Sequence, residues 1–231
     1  MNIYKIICVI AALTILGGCS HGSNPSNATA ATTASANTTV QTESPSTPQK
    51  AYEVTGVGSN RFSIDNAAFT MNDAPNKMLT FLGNPIKTEQ DYDYDRSPYP
   101  VVIEYYEYSS GIVLCTEAMW DVDAEKKIGE EYIADIYFTT SQYSVNGIRV
   151  GDPVKNLSAF SKSILCDGPV RMAGNMYYAD NCYNFYSPRN KDGSLLIWRF
   201  FTDEDVSTVT GINIHFAGAE YNVPEKSTCD L

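Results

Sequence analysis

The stretch Gly147-Ile-Arg-Val-Gly-Asp-Pro-Val-Lys-Asn-Leu157 decides how the rest of the chain is read, because its opening residues have a counterpart upstream. Ile148–Asp152 (Ile-Arg-Val-Gly-Asp) match Phe69–Asp73 (Phe-Thr-Met-Asn-Asp), a shift of 79 positions. Working outward, Tyr183-Asn-Phe-Tyr-Ser187 matches Tyr105-Tyr-Glu-Tyr-Ser109, and Asn213-Ile-His-Phe216 matches Asp135-Ile-Tyr-Phe138, both at a shift of 78. Three collinear blocks at nearly one shift indicate that residues 62–140 are duplicated in 141–218.

Each copy decodes in the same order. A short extended segment runs into an aspartate suited to capping a helix, Asp73 or Asp152. Proline follows in the first turn, Pro75 or Pro153, where its missing N–H costs nothing. Apolar residues then recur at helical spacing: Met78, Leu79 and Leu82 in copy one, and Val154, Leu157, Phe160 and Ile164 in copy two. Gly83-Asn-Pro85 and Asp167-Gly-Pro169 end these helices. A hairpin comes next, Val101–Tyr108 with Ile112–Ala118, or Cys182–Tyr186 with Ser194–Phe201. A last strand, Tyr132–Thr139 or Thr210–Phe216, closes each copy. The expected fold class is α+β: two tandem repeats, 51–140 and 141–231, each a helix packed on a three- to four-stranded antiparallel sheet.

The Gly147–Leu157 string is similar to the opening motif of small exported repeats, and Leu82-Gly83-Asn84-Pro85 resembles their helix ending. Such repeats make up the BamE/SmpA outer-membrane assembly lipoproteins and the tandem β-lactamase-inhibitor-like proteins. The resemblance implies two helix-on-sheet units outside the cytoplasm. It transfers no site residue.

The N-terminus points to the same compartment. Lys5 precedes an apolar run of about 13 residues, short of the roughly 20 that a spanning helix needs. The run ends at Leu16-Gly-Gly-Cys19, which resembles a lipobox at every position. Residues 1–18 are thus expected to be a lipoprotein signal peptide, removed before Cys19, whose thiol and new amino group take acyl chains such as palmitate. Ser20 would not retain a lipoprotein at an inner membrane, so the expected location is the extracytoplasmic face of a membrane, the outer one where two exist. Residues 19–50 are Ser-, Thr- and Asn-rich with no aromatic, a composition that reads as a disordered spacer.

Beyond residue 50 the chain carries 14 basic and 26 acidic side chains, a formal charge of −12. That balance argues against nucleic acid as a partner. Cys115, Cys166, Cys182 and Cys229 remain as disulfide candidates in an exported domain, with Cys166–Cys182 the expected pair because a short loop returns one to the other. Asp91-Tyr-Asp-Tyr-Asp95 and Asp121-Val-Asp-Ala-Glu125 have alternating carboxylates, but Arg96 and Lys126 stand where a calcium loop needs glycine. No metal or cofactor is implied. His215 is the only histidine beyond residue 50, and no serine lies in G-x-S-x-G. Tyr92, Tyr94 and Tyr99 share one loop and suit partner recognition, since a tyrosine ring gives contact area at low entropic cost. The expected function is a non-catalytic, membrane-anchored lipoprotein that binds the bilayer through Cys19 and a protein or envelope component through those tyrosines. A small-ligand or cation carrier and an exported hydrolase using His215 are the alternatives.

Overall fold

A computed structural model describes residues 51–231 apart from 71, 97 and 172–180. The expected signal peptide 1–18, Cys19 and the spacer 19–50 lie outside the described residues. Strands β1 (Tyr52–Thr55), β2 (Arg61–Ile64) and β3 (Ala67–Thr70) lead to helix α1 (Pro75–Leu82). The chain then runs through β4 (Lys87–Asp93), β5 (Val101–Glu107), β6 (Ile112–Asp121) and β7 (Lys126–Phe138). The second half repeats the order with β8 (Tyr143–Val145), β9 (Ile148–Arg149), a 3-10 turn (Val154–Leu157) and the single-turn helix α2 (Ser158–Ser161). Four strands follow: β10 (Cys166–Arg171), β11 (Asn181–Tyr186), β12 (Leu195–Thr202) and β13 (Val209–Ala217). Among the described residues no helix is long and apolar enough to cross a membrane.

The local chemistry of both halves is alike. The β2–β3 and β8–β9 hairpins turn on Asp65-Asn66 and Asn146-Gly147, all four at positive φ, the conformation that matches strand twist in a two-residue turn. Asp73 and Asp152 do not cap the helices, as their position suggested. Asp73 Oδ2 instead accepts from the Thr70 amide (2.7 Å), and Asp152 Oδ2 from the Arg149 amide (2.8 Å). Each carboxylate thereby fixes the turn out of a strand, while Ala74 and Pro153 hold the N-cap positions with no side-chain bond.

The expected helix-on-sheet repeats are not what forms. Half of the described residues are strand and only 9% are helical. The two four-stranded meanders join edge to edge in one eight-stranded sheet, ordered β10-β11-β12-β13-β7-β6-β5-β4. At the join, β7 and β13 are antiparallel with Ile136 opposite Ile214. These two residues are 78 positions apart, so the sheet has an approximate two-fold axis between them. The N-terminal strands also combine, in a five-stranded sheet ordered β3-β2-β1-β8-β9, with β1 antiparallel to β2 and parallel to β8. The physical reason is edge pairing. Each meander alone would leave β7 or β13 with an open edge of apolar side chains, and pairing them covers both.

The main core lies between the two sheets. Trp198, fully buried on β12, meets Phe62 of β2 edge to face, with ring centroids 6.2 Å apart. Phe62 stacks on Phe69, which meets Phe81 of α1. Phe160 of α2 packs against Phe185 and Phe200. The first hairpin thus packs on strands of the second half, and the main core is shared by both halves.

The expected Cys166–Cys182 pairing is corrected as well. Cys166 lies opposite Phe185, and Cys182 opposite Val170 on the adjoining β10. The two thiols therefore sit at different heights and face different cores. Cys166 pairs instead with Cys229, their Cα atoms 5.7 Å apart, while Cys115 and Cys182 are free and buried. Closing a loop of this length (sequence separation 63) stabilises by about 4 kcal/mol through loop entropy. Mass mapping of a non-reduced digest should return a linked Cys166–Cys229 peptide with Cys115 and Cys182 unpaired. Cys229→Ser should lower the melting temperature, and Cys182→Ser should not change the linked peptide.

Candidate functional site

The large sheet reaches beyond the small one at its β4–β7 end. There β7 runs on from Lys126 to Ala134 without β13, which pairs only with Asp135–Phe138. Side chains that face the core near the centre give way to a polar network at this end. Glu104 of β5, only 8% exposed, accepts from Gln90 (2.5 Å), from Lys127 Nζ (2.8 Å) and from the Tyr106 hydroxyl. Lys127 also reaches Glu131 (3.3 Å), which accepts from the Thr116 hydroxyl (2.5 Å). Burial pushes the Glu104 carboxyl up, but the bonds from Lys127, Tyr106 and Gln90 outweigh it and hold the group below its ordinary value. Burial, then the bond to Glu104, pushes the Tyr106 hydroxyl up, so it stays a donor at any physiological pH.

A second cluster lies at the β4–β5 turn. Arg96 pairs with Glu117 and with Asp93 (3.6 Å), and the Tyr132 hydroxyl donates to Glu117 (2.7 Å). Burial, then Glu117, raises the Tyr132 hydroxyl well above its ordinary value. Between this region and the start of α1 is a depression of about 610 Å³ lined by Asn72, Asp73, Pro75, Asn76, Glu131 and Tyr132.

The structure brings two of the three sequence-predicted tyrosines together. Tyr92, the penultimate residue of β4, stacks on Tyr94 (5.9 Å between centroids) and meets Trp120 of β6 edge to face (5.1 Å). Tyr94 is 60% exposed and Tyr99 is 51% exposed, whereas Tyr92 is half-buried by its neighbours. Tyr99 belongs to the same turn but stands apart from the ring stack. Sequence reasoning missed Trp120. Its signal was available in the hairpin register, since β5 and β6 place Trp120 against Pro100, whose carbonyl takes the Trp120 amide (2.8 Å). The acidic runs are structural: Asp91 and Asp93 belong to β4, and Asp121 Oδ1 accepts from the Asp123 and Ala124 amides (3.1 and 3.0 Å) to form the β6–β7 turn. No three His, Cys, Asp or Glu side chains converge for a metal among the described residues.

His215 lies at the centre of the sheet instead. Its Nδ1 is 3.0 Å from Asp135 Oδ1, which also accepts from Asn213 Nδ2 (3.0 Å) and lies 3.9 Å from Arg199. The nucleophile that the register offers Asp135 is Cys115, directly opposite on β6. Burial, then the Asp135 carboxylate, pushes that thiol far up, so it is held as the neutral thiol, the wrong state for attack. The cluster can hold β7, β12 and β13 in register, and that is what its bonds do.

Glu104 is depressed by its bonds, so it contributes stability above its unfolded value of about 4.5, and that contribution is lost as pH falls through the folded value. Glu104→Gln should therefore lower the melting temperature at pH 7, where Lys127 loses its anion. The gap between variant and wild type should shrink steadily below pH 4.5, read by circular dichroism melts across pH 3–7.

No protein-family model, curated protein or solved structure matches this chain.

Proposed function

We propose that the protein is a membrane-anchored, extracytoplasmic lipoprotein, non-catalytic, whose folded domain binds a protein or envelope component through the β4–β7 end of its large sheet. The observation that carries the binding reading is the Tyr92–Tyr94–Trp120 ring group, gathered at one end of the sheet from β4, its turn and β6, with one ring largely in solvent. A folded domain hides most of its large aromatics, and here Tyr143, Phe185 and Trp198 are fully buried. Exposed rings next to surface carboxylates, on a rigid sheet, are the composition of a recognition surface. The neutral Cys115 thiol beside the Asp135–His215 pair favours this over a hydrolase.

Membrane attachment rests on the Leu16–Cys19 string, with the Ser- and Thr-rich residues after it as the tether. Two acyl chains on Cys19, each buried methylene contributing about 0.8 kcal/mol, hold a domain firmly at a bilayer. Cys19→Ala should accumulate as uncleaved precursor and lose acyl labelling in the producing cell; normal processing and labelling would remove the anchor.

The binding reading is tested at the two exposed rings. Tyr94→Ser with Tyr99→Ser should leave the melting temperature almost unchanged, since exposed loop substitutions usually cost under about 0.5 kcal/mol. Cross-linking to the native partner in membrane extract should nevertheless fall at least tenfold, because interface tyrosines often contribute about 2 kcal/mol. Unchanged cross-linking by this variant would take the surface out of consideration.

A further inference from the structure

The chain treats the two edges of its large sheet differently. Along β10 the C-terminal residues form a strap: the Thr228 amide donates to Cys166 C=O (2.9 Å), the Asp230 amide to Gly168 C=O (3.1 Å), and the Ser227 hydroxyl accepts from the Cys166 amide (3.2 Å). The Cys166–Cys229 bond locks that strap down. Along β4 no described strand pairs on the outer side, and Lys87–Asp91 are exposed. An open edge of seven residues is a template for another strand.

Which groups face outward follows from the register. The Trp120 amide donates to Pro100 C=O (2.8 Å) and the Tyr108 amide to Ile112 C=O (2.9 Å), so even-numbered residues of β5 bond β6. Odd-numbered residues of β5 then bond β4, through the pairs Glu89–Tyr105 and Asp91–Ile103. The outward N–H and C=O groups of β4 therefore belong to Thr88, Gln90 and Tyr92. The Tyr92 amide is taken by the carboxylate of its own neighbour, Asp91 (2.8 Å). That substitute acceptor is what an outward amide without a strand partner finds.

The side chains select the guest. Glu89, Asp91, Asp93 and Asp95 outnumber Lys87 and Arg96 on this edge and its turn. A second copy paired antiparallel about Gln90 would set Glu89 against Asp91 twice, and like charges directly opposite destabilise a strand pair. A basic strand meets no such clash. We propose that β4 is the docking edge for an extended, basic segment of a partner protein, which adds as a ninth strand. Its cationic side chains face Glu89 and Asp91, and its alternate apolar side chains lie on the Tyr92–Trp120 face. This mode of binding rests on the reading of this end of the sheet as a protein-recognition surface.

The test uses the full lipidated chain in detergent and two acetylated, amidated heptapeptides, one alternating lysine and valine, the other glutamate and valine. Residue-resolved hydrogen exchange should show the lysine peptide protecting the Thr88 and Gln90 amides, while Glu89 and Asp91, already bonded to β5, stay as they were. Thr88→Pro removes one outward donor at an edge position that tolerates proline, and should weaken the lysine peptide about fivefold. Glu89→Lys with Asp91→Lys leaves the backbone intact and should reverse the preference to the glutamate peptide. Binding without protection at Thr88 and Gln90 overturns strand addition while leaving the recognition surface in place. Binding equally strong in the charge-reversed variant overturns the basic partner, and no binding of the lysine peptide overturns both parts. Loss of native cross-linking on changing Tyr94 and Tyr99 is read separately, so the surface can stand when the docking mode falls.

Discussion

The pairing of β7 with β13 is the constraint on which the rest of the structure depends. Ile136 and Ile214 lie opposite each other at the centre of the sheet, and both are fully buried. Full burial of one such side chain is worth about 1.5–3 kcal/mol. On the opposite face, the same strand pair sets Asp135 against His215 and Tyr137 against Asn213. A slip of one residue would turn Asp135 toward the apolar core and Ile136 toward the polar side, so register is enforced from both faces. Once that register is set, β6 and β12 extend the sheet outward on either side. The five-stranded sheet then has one broad apolar surface to cover, which explains why a hairpin from the first half packs on Trp198 from the second.

The sequence made the order of elements legible, but not their partnership. The shift of 78 between Asp135–Phe138 and Asn213–Phe216 marks the two segments that meet at the centre. Spacing along a chain says which residues are equivalent, but not that equivalent strands bond to each other. The strands read at Val101–Tyr108 and Cys182–Tyr186 lie within a residue or two of β5 and β11. Helix α1 also forms where proline and apolar spacing indicated, with Met78 buried. Its counterpart shrinks to a 3-10 turn and one helical turn at Val154–Ser161, where the Ser161 hydroxyl donates to the Ser158 carbonyl (3.2 Å). Phe62 and Ile64 of β2 are central to the core, yet four-residue strands carry too little periodicity to announce themselves. Cys229 sits in a polar tail with no pattern at all, so only the closure of β10 reveals its partner.

The candidate site was half legible for a related reason. A tyrosine in a loop and a tyrosine in a strand look the same in sequence. Tyr183 and Tyr186, equally aromatic, are buried and spend their hydroxyls on Asp230 C=O (3.2 Å) and Asp167 Oδ2 (2.9 Å). Among the described residues nothing takes the Tyr94 or Tyr99 hydroxyl in that way, and their exposure separates them from the core set. Trp120 joins them only because the β5–β6 register carries it to the same end.

Carboxylates divide along the same line. Those that are buried or half-buried are consumed: Asp135 by Asn213 and His215, Asp167 by Asn184 and Tyr186, Glu104 by three donors. Each of these needs a protein donor, because a buried anion without one costs several kcal/mol. On β4, Asp91 is exposed, and Glu89 and Asp93 meet only the surface cations Lys87 (2.8 Å) and Arg96 (3.6 Å), so acidic charge stays at an edge on which no described strand pairs. A disulfide, three hydrogen bonds and a C-terminal strap are invested in closing β10. The opposite edge is defended only by charge, which repels its own kind and attracts the opposite. A net acidic charge on an open strand makes that edge selective as well as soluble.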